Sequence, residues 1–287
     1  MTVEETELAQ IDQELAARID PWLAHMRWRP NFDNWRQARL HQEDHQKEAL
    51  RLLEQGRALA HSPALEQSSM LDLGCGMGGF AVAVARKGIK VTALDYNPAY
   101  CAITAVRAAR YKLALPVAAA AGEAIPLPDA SYDIVTCWDV LEHVQKPRDL
   151  LKELNRVLRP GGLLLITAIN RFAFKDPHYH LPLINWMPRP LGESLIALSG
   201  RRKGGAFRDK QRLSEMHYYT WKGLKQQAAE CGFRLYDLDE ERVARGEVGA
   251  RKRWRRLASS LGVAVPAYRA YRNCWQGTWR LAMIKEA

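Results

Sequence analysis

Between Met70 and Ala168, short apolar runs alternate with segments of helical period, and this alternation limits the fold more than any other feature of the chain. The runs Met70–Leu73, Val91–Leu94, Val117–Ala120, Ile134–Trp138 and Leu163–Ala168 are predicted strands. Gly79–Lys87, Pro98–Arg110 and Leu150–Leu158 are predicted helices. Strands that are apolar on both faces have both faces covered, which is the mark of a parallel sheet wrapped by helices. Beyond Thr220–Glu230, a helix with Thr220 as its cap and Gly232 as its stop, Phe233–Leu238 and Thr278–Lys285 bring the strands to seven. The expected fold class is α/β, a doubly wound Rossmann-like seven-stranded sheet.

The first strand runs into Gly74-Cys75-Gly76-Met77-Gly78-Gly79-Phe80, and a helix starts at once. Glycines at such a turn let the backbone bend tightly and come close to a ligand at the carboxyl edge of the sheet. Gly74, Gly76 and Gly79 have the G-x-G-x-x-G spacing of dinucleotide sites, and Asp95 follows at about the right distance, so glycine spacing alone does not exclude a nicotinamide cofactor.

The residues around the turn separate the two readings. Asp72 stands two positions before the first glycine, where a dinucleotide fingerprint is ordinarily apolar, and a carboxylate suits a cationic ligand better than a pyrophosphate. Asp95 closes the second strand, Gly122-Glu123-Ala124 follows the third, and Tyr132–Trp138 forms the fourth. Asp139-Val140-Leu141-Glu142-His143-Val144 comes next, and Leu158-Arg159-Pro160-Gly161-Gly162 precedes the fifth strand. In this order the segments resemble those of class I S-adenosylmethionine-dependent methyltransferases, in particular ubiquinone-biosynthesis-type O-methyltransferases and related small-molecule enzymes. The resemblance is close from about Ser69 to Ala168 and loose over Tyr218–Phe233 and Thr278–Lys285.

The resemblance implies S-adenosyl-L-methionine as cofactor. It implies Asp72, Gly74, Cys75, Gly76, Gly78, Asp95, Tyr96, Glu123, Ala124, Trp138 and Asp139 as the residues that bind it, with Asp95 taking the ribose hydroxyls and Glu123 beside the adenine. It also implies methyl transfer to a small molecule, with an oxygen nucleophile preferred. Such an acceptor benefits from a base worth about 10²–10⁴-fold. His143 is the first candidate, and His178 and His180, just after the fifth strand, are the second. Asp176, His178 and His180 are suitable ligand types, but no further ligand set at sound spacing accompanies them, so no metal is expected. His217, with Tyr218 and Tyr219, stands ahead of a helix and is read as packing there, with lining the pocket from the far side as the alternative. The five cysteines are scattered without a C-x-x-C pair, and they read as packing residues in a reducing compartment.

The expected domain organisation is an N-terminal helical cap over residues 1–62 and a methyltransferase domain over 63–287. Within the latter, a lid spans 170–216, where prolines and glycines break the periodicity, and a basic insertion spans 242–276. Trp22, Trp28, Phe32 and Trp35 form an aromatic cluster in the cap. Trp22, Trp35, Tyr179 and Trp186 suggest an apolar pocket for an aromatic, isoprenoid, sugar-linked or lipid-linked acceptor.

Charge is divided unevenly. Residues 171–287 hold 23 Lys+Arg against 11 Asp+Glu, whereas the first 170 hold 19 against 21. Such a field attracts anionic ligands, lipid headgroups or nucleic acid. An anionic acceptor fits it, and so does association with a membrane surface through the basic run Arg251–Arg256 around Trp254. Nucleic acid is disfavoured, because Cys137-Trp138-Asp139-Val140 stands where an exocyclic-amine methylase has Asn/Asp-Pro-Pro-aromatic. The acidic N-terminus lacks a secretory h-region, and no apolar run is long enough to span a bilayer, so a cytoplasmic location is expected.

Overall fold

The computed structural model describes residues 3–200, 212–247 and 262–286. Seven strands form one sheet in the order β3-β2-β1-β4-β5-β7-β6. They are β1 (Ser69–Leu73), β2 (Lys90–Asp95), β3 (Val117–Ala119), β4 (Tyr132–Cys137), β5 (Leu158–Ile169), β6 (Phe233–Asp237) and β7 (Thr278–Lys285). β1 pairs in parallel with β2 and β4, and β2 with β3, whereas β7 runs antiparallel to β6. An all-parallel dinucleotide fold has the order 3-2-1-4-5-6. Here an antiparallel strand is inserted beside β6, which makes the sheet mixed.

The helices among the described residues are α1 (Val3–Leu23), α2 (Phe32–Leu40), α3 (Lys47–Ala60), α4 (Gly79–Ala85), α5 (Pro98–Ala109), α6 (Pro147–Val157), α7 (Arg189–Leu198), α8 (Trp221–Glu230), α9 (Leu238–Ala244) and α10 (Ala264–Cys274). No helix among the described residues is long and apolar enough to cross a membrane. Two compact units divide the chain: Met1–Cys137 with Arg156–Leu163, and Trp138–Asn155 with Leu164–Ala287. The N-terminal helices belong to the first unit.

In the first unit, Leu15, Ile19, Leu23, Leu40 and Ile103 form a buried cluster, with Trp22, Phe32, Trp35, Met77 and Tyr100 packed against it. Burying each of these aliphatic side chains is worth about 1.5–3 kcal/mol, and together they fix the N-terminal helices on α5. Trp28 stays out of the cluster and is 74% exposed. A buried ion pair between Arg107 and Glu43 adds a polar tie. Arg107 also donates to the carbonyls of Arg39, Leu40 and Met77, linking α2 and α5 to the glycine-rich turn.

β5 is longer than the sequence suggests. It begins at Leu158, so Gly161 and Gly162 lie within the strand rather than in a turn before it. The 170–216 segment is also more regular than expected, with a short 3-10 turn at Ile184–Trp186 and the helix α7; its residues 201–211 lie outside those described. Tyr179, Ile184, Ile196, Leu213 and Met216 give it a small core of its own, because two apolar faces close together can bury each other despite the surrounding prolines. β6 stops at Asp237, whose carboxylate caps α9 by accepting from the N–H groups of Asp239 and Glu240. The Arg251–Arg256 run and Trp254 lie outside the described residues.

Candidate active site

The turn after β1 is built from backbone. Gly74, Gly76 and Gly78 take φ values of 74°, 54° and 78°, a region that side-chain-bearing residues enter only at a cost. At Gly78 a Cβ would stand 2.6 Å from the side chain of Thr104, so helix α4 can approach α5 only without one. At Gly76 a Cβ would meet nothing within 4 Å, which leaves open space over that peptide. The Gly74 and Cys75 N–H groups donate to Leu94 O at 2.7 and 3.0 Å, locking the turn to β2.

Two buried carboxylates flank this turn. Asp95 accepts from Gly76 N at 2.8 Å and from Asn97 N at 2.9 Å. A carboxylate offers about four lone-pair sites, so two backbone donors orient it while leaving it able to accept hydroxyl donors. Asp72 is 2% exposed and accepts one hydrogen bond, from Thr136 Oγ1 at 2.7 Å, while its Oδ2 has no partner among the described residues. Burial pushes the Asp72 carboxyl up to about 7, against the pull of the Thr136 bond and with a further push from Asp95. A buried acceptor of this kind is stabilised by a cation placed against it.

The other predicted binding residues of the first unit lie in two places. Glu123 and Ala124 sit in the turn after β3, half-buried and exposed respectively. Tyr96 is 59% exposed beyond Asp95. Cys75 is buried, and burial beside Asp72 and Asp95 pushes its thiol far above the usual range, so it is a packing residue rather than a nucleophile. Trp138 and Asp139 belong to the second unit. Asp139 takes φ 54°; its N–H donates to Thr167 Oγ1 at 2.6 Å, and that hydroxyl donates back to Oδ1 at 3.0 Å. Desolvation of the carboxyl, followed by the charge of Glu142, raises its pKa.

The second unit also brings Glu142, His143 and His178 together, with one potential ligand atom from each within 4.8 Å of the others. Glu142 is 2% exposed, and its Oε1 lies 3.6 Å from His178 Nε2 and 4.0 Å from His143 Nε2. The two imidazoles meet edge to face with centroids 5.1 Å apart. His178 is held from behind: Asp176 Oδ1 accepts from the N–H groups of His178 and Tyr179, and Asp176 Oδ2 accepts from Tyr218 Oη at 2.8 Å. These bonds occupy Asp176, so it orients His178 rather than serving beside it as a ligand. His180, the third candidate from sequence, is exposed at φ 55° and lies outside this group.

His217 and Tyr219 line a cavity of 380 Å³ with Pro147, Arg148, Gln227 and Glu230. The backbone N–H of His217 donates to the backbone carbonyl of Glu142 at 3.0 Å, which ties that wall to the Glu142 main chain. Trp22 and Trp35 are part of the first unit's core rather than a pocket wall. In the second unit, Tyr179 is buried in the core of the segment after β5, and Trp186 is exposed with its indole N–H donating to Phe172 O. The sequence reading missed Glu142 as a member of the group, although a carboxylate next to a candidate base histidine was a usable signal. Asp176 was marked in sequence as a possible ligand type rather than as the residue that holds His178, and Tyr218 gave no signal for its bond to Asp176.

Residues 71–166 match the family described as the methyltransferase domain. The ubiquinone biosynthesis O-methyltransferase of Parvibaculum lavamentivorans is 31% identical over 130 residues, 43% of this chain and 50% of the relative. That of Aeromonas salmonicida is 36% identical over 117 residues, 40% of this chain and 47% of the relative. The chain thus spans about half the length of the curated relatives it matches. Among solved structures, a putative sarcosine dimethylglycine methyltransferase from Galdieria sulphuraria has 19% identity and a TM-score of 0.51, covering 88% of both chains. PKMT2 from Rickettsia typhi, in complex with AdoHcy, has 14% identity and a TM-score of 0.54, covering 78% of this chain and 50% of that one. These structures share the fold. The segment 71–166 is therefore a class I S-adenosylmethionine-dependent methyltransferase domain.

Proposed function

We propose that this chain transfers a methyl group from S-adenosylmethionine to a small-molecule acceptor, through an oxygen nucleophile. The observation that carries the reading is the partnerless, buried Oδ2 of Asp72 beside a turn whose Gly76 is open to a ligand. A cationic ammonium satisfies that oxygen, whereas a pyrophosphate would be repelled by it. When bound, S-adenosylmethionine supplies a methyl on a sulfonium with a good leaving group. Asp95 holds ribose hydroxyls, Glu123 lies beside the adenine, and Tyr96, Ala124, Trp138 and Asp139 complete the cofactor contacts. Methyl transfer then depends mainly on holding nucleophile and methyl in line, an effect worth up to about 7–11 kcal/mol.

His143 takes the acceptor proton. Glu142 steadies the imidazolium that results, and His178, held by Asp176, keeps the acceptor in line. The relatives' names support an oxygen acceptor, since those proteins are called O-methyltransferases. Calorimetry with S-adenosylmethionine, followed by incubation of the labelled cofactor with a fractionated small-molecule extract, tests the reading. Tight binding and one labelled acceptor support it; a chain that prefers a nicotinamide cofactor overturns it.

The donor set of Glu142, His143 and His178 favours a second reading, in which a divalent metal at these residues lowers the acceptor hydroxyl's pKa. Loss of turnover on chelation, with recovery on adding a metal, would support it. A nucleic-acid acceptor gains little from the described basic residues. Arg269 pairs with Glu240 at 2.6 Å, and Arg272 pairs with Glu240 and Asp237 while its guanidinium lies 3.6 Å from the Trp221 ring centre. A membrane-surface role for the Arg251–Arg256 run and a cytoplasmic location remain readings of the sequence.

A further inference from the structure

Arg171 directly follows the end of β5 and its Asn170 bridge, and Arg189 opens α7. Among the described residues neither forms an ion pair, and each has a buried Nη1 without a hydrogen-bond partner. Each guanidinium has a further contact. Arg171 Nη2 donates to Met187 O at 3.1 Å, and Arg189 lies over the Tyr218 ring, 4.4 Å from its centre. Burial lowers the pKa of both guanidiniums, and at Arg189 the charge of Arg171 lowers it further, against the pull of Tyr218, Asp176 and Glu193. The carboxylates that act on Arg189 hold their hydrogen bonds to other groups: Asp176 to Tyr218 Oη and two backbone N–H groups, and Glu193 to the N–H and hydroxyl of Ser214. α7 begins without a side-chain cap and without an acidic residue in its first turn, so its positive end is also uncompensated.

We propose that Arg171 and Arg189 receive an anionic group, a phosphate monoester or a carboxylate, carried by the methyl acceptor. Two guanidiniums held in a partly buried setting match such oxygens in a way that lysines do not. Tyr218 connects this site to the histidine group, because its ring lies under Arg189 and within 6.4 Å of the His178 ring, nearly parallel to it. An acceptor anchored by its anion at the arginines would therefore extend toward His178 and His143. The assignment rests on the methyl-transfer reading for the word acceptor, but the anion site itself does not.

The test is titration of the full chain with inorganic phosphate, and separately with acetate, at fixed ionic strength, read by calorimetry and by melting temperature. Saturable binding of one anion is expected, and the tighter of the two names the group. The double variant Arg171→Gln, Arg189→Gln weakens that binding at least tenfold, while Arg18→Gln, on an exposed face of α1, leaves it unchanged. Should the double variant fail to fold, Arg189→Lys keeps the charge and still loosens binding several-fold through the lost fork. Absence of saturable binding in the parent, or equal binding in parent and variants, overturns the site. S-adenosylmethionine affinity is measured on the same samples. Its loss in the parent would sink the methyl-transfer reading while leaving phosphate binding intact.

Discussion

The turn after β1 takes its shape from backbone, whereas the group of Glu142, His143 and His178 is assembled from side chains on segments far apart in sequence. Three left-handed glycines and two carboxylates occupy only residues 72–95, and both carboxylates are nearly inaccessible to water. The second group draws on 142–143 and 176–178, with backing from 217–219. On the proposed reading, a cofactor common to many reactions would be bound by this local device of backbone and two carboxylates. The acceptor would be met by residues that folding gathers from distant segments. Substitutions in the two regions should therefore split the kinetic parameters.

The largest effect is expected at His143. His143→Ala lowers turnover by about 10²–10⁴-fold, the usual worth of a positioned base, and leaves S-adenosylmethionine affinity within about twofold, since only a base is removed. Single-turnover rates and calorimetry on the same preparation separate the two quantities. A variant that loses cofactor affinity along with turnover would erase the contrast between the regions. Asp95→Ala should do the reverse and weaken cofactor binding by about 100-fold or more. It removes charge-assisted bonds worth about 1.5–3 kcal/mol each and releases the Gly76 and Asn97 N–H groups that set the turn.

Asp72 gives a smaller effect with a distinctive pH signature. Its carboxyl sits at about 7 in the unbound protein, above its ordinary value of 3.8. The protonated form is thus the comfortable one: its contribution to stability is fully present below about 3.8 and is lost as pH rises through about 7. A bound cation favours the ionised form instead. S-adenosylmethionine affinity should therefore fall by about tenfold per pH unit as pH drops below about 7, each unit of pKa being worth 1.36 kcal/mol. Asp72→Asn should bind weakly at every pH and melt no lower than the parent at pH 8. A steep pH dependence retained in Asp72→Asn would assign the titration to another group.

The same contrast explains what the chain disclosed before folding. The parallel core strands and the Gly74–Gly79 turn were legible because their signals are local: apolar runs, glycine spacing and a carboxylate two residues upstream. The order and direction of the last strands were not, since β7 finds its place between β5 and β6 through long-range pairing. Helix α7 was hidden by the prolines around it, and its existence depends on packing against Tyr179 and Leu213 rather than on its own period. Glu142 is marked in sequence only by its neighbour, the candidate base His143. Only folding buries it to 2% exposure and sets it beside two imidazoles.

The smallest expected effect is at His180, and it separates proximity in sequence from proximity in space. His178 and His180 stand two residues apart, and sequence alone treats them as equals. The Asp176 carboxylate divides them: it accepts from the His178 and Tyr179 N–H groups and turns His178 toward Glu142, while the chain leaves the turn at His180 with φ 55° and an exposed side chain. His178→Ala should therefore lower turnover by at least tenfold, because an acceptor is no longer held in line. His180→Ala should change turnover by less than about twofold, as exposed substitutions generally do. Asp176→Asn retains an acceptor for the backbone N–H groups but loses charge opposite Tyr218, so it should give an intermediate loss in turnover with cofactor affinity unchanged. Equal losses at His178 and His180 would mean that the whole 176–180 turn acts as one surface, and the histidine group would have to be redrawn around it.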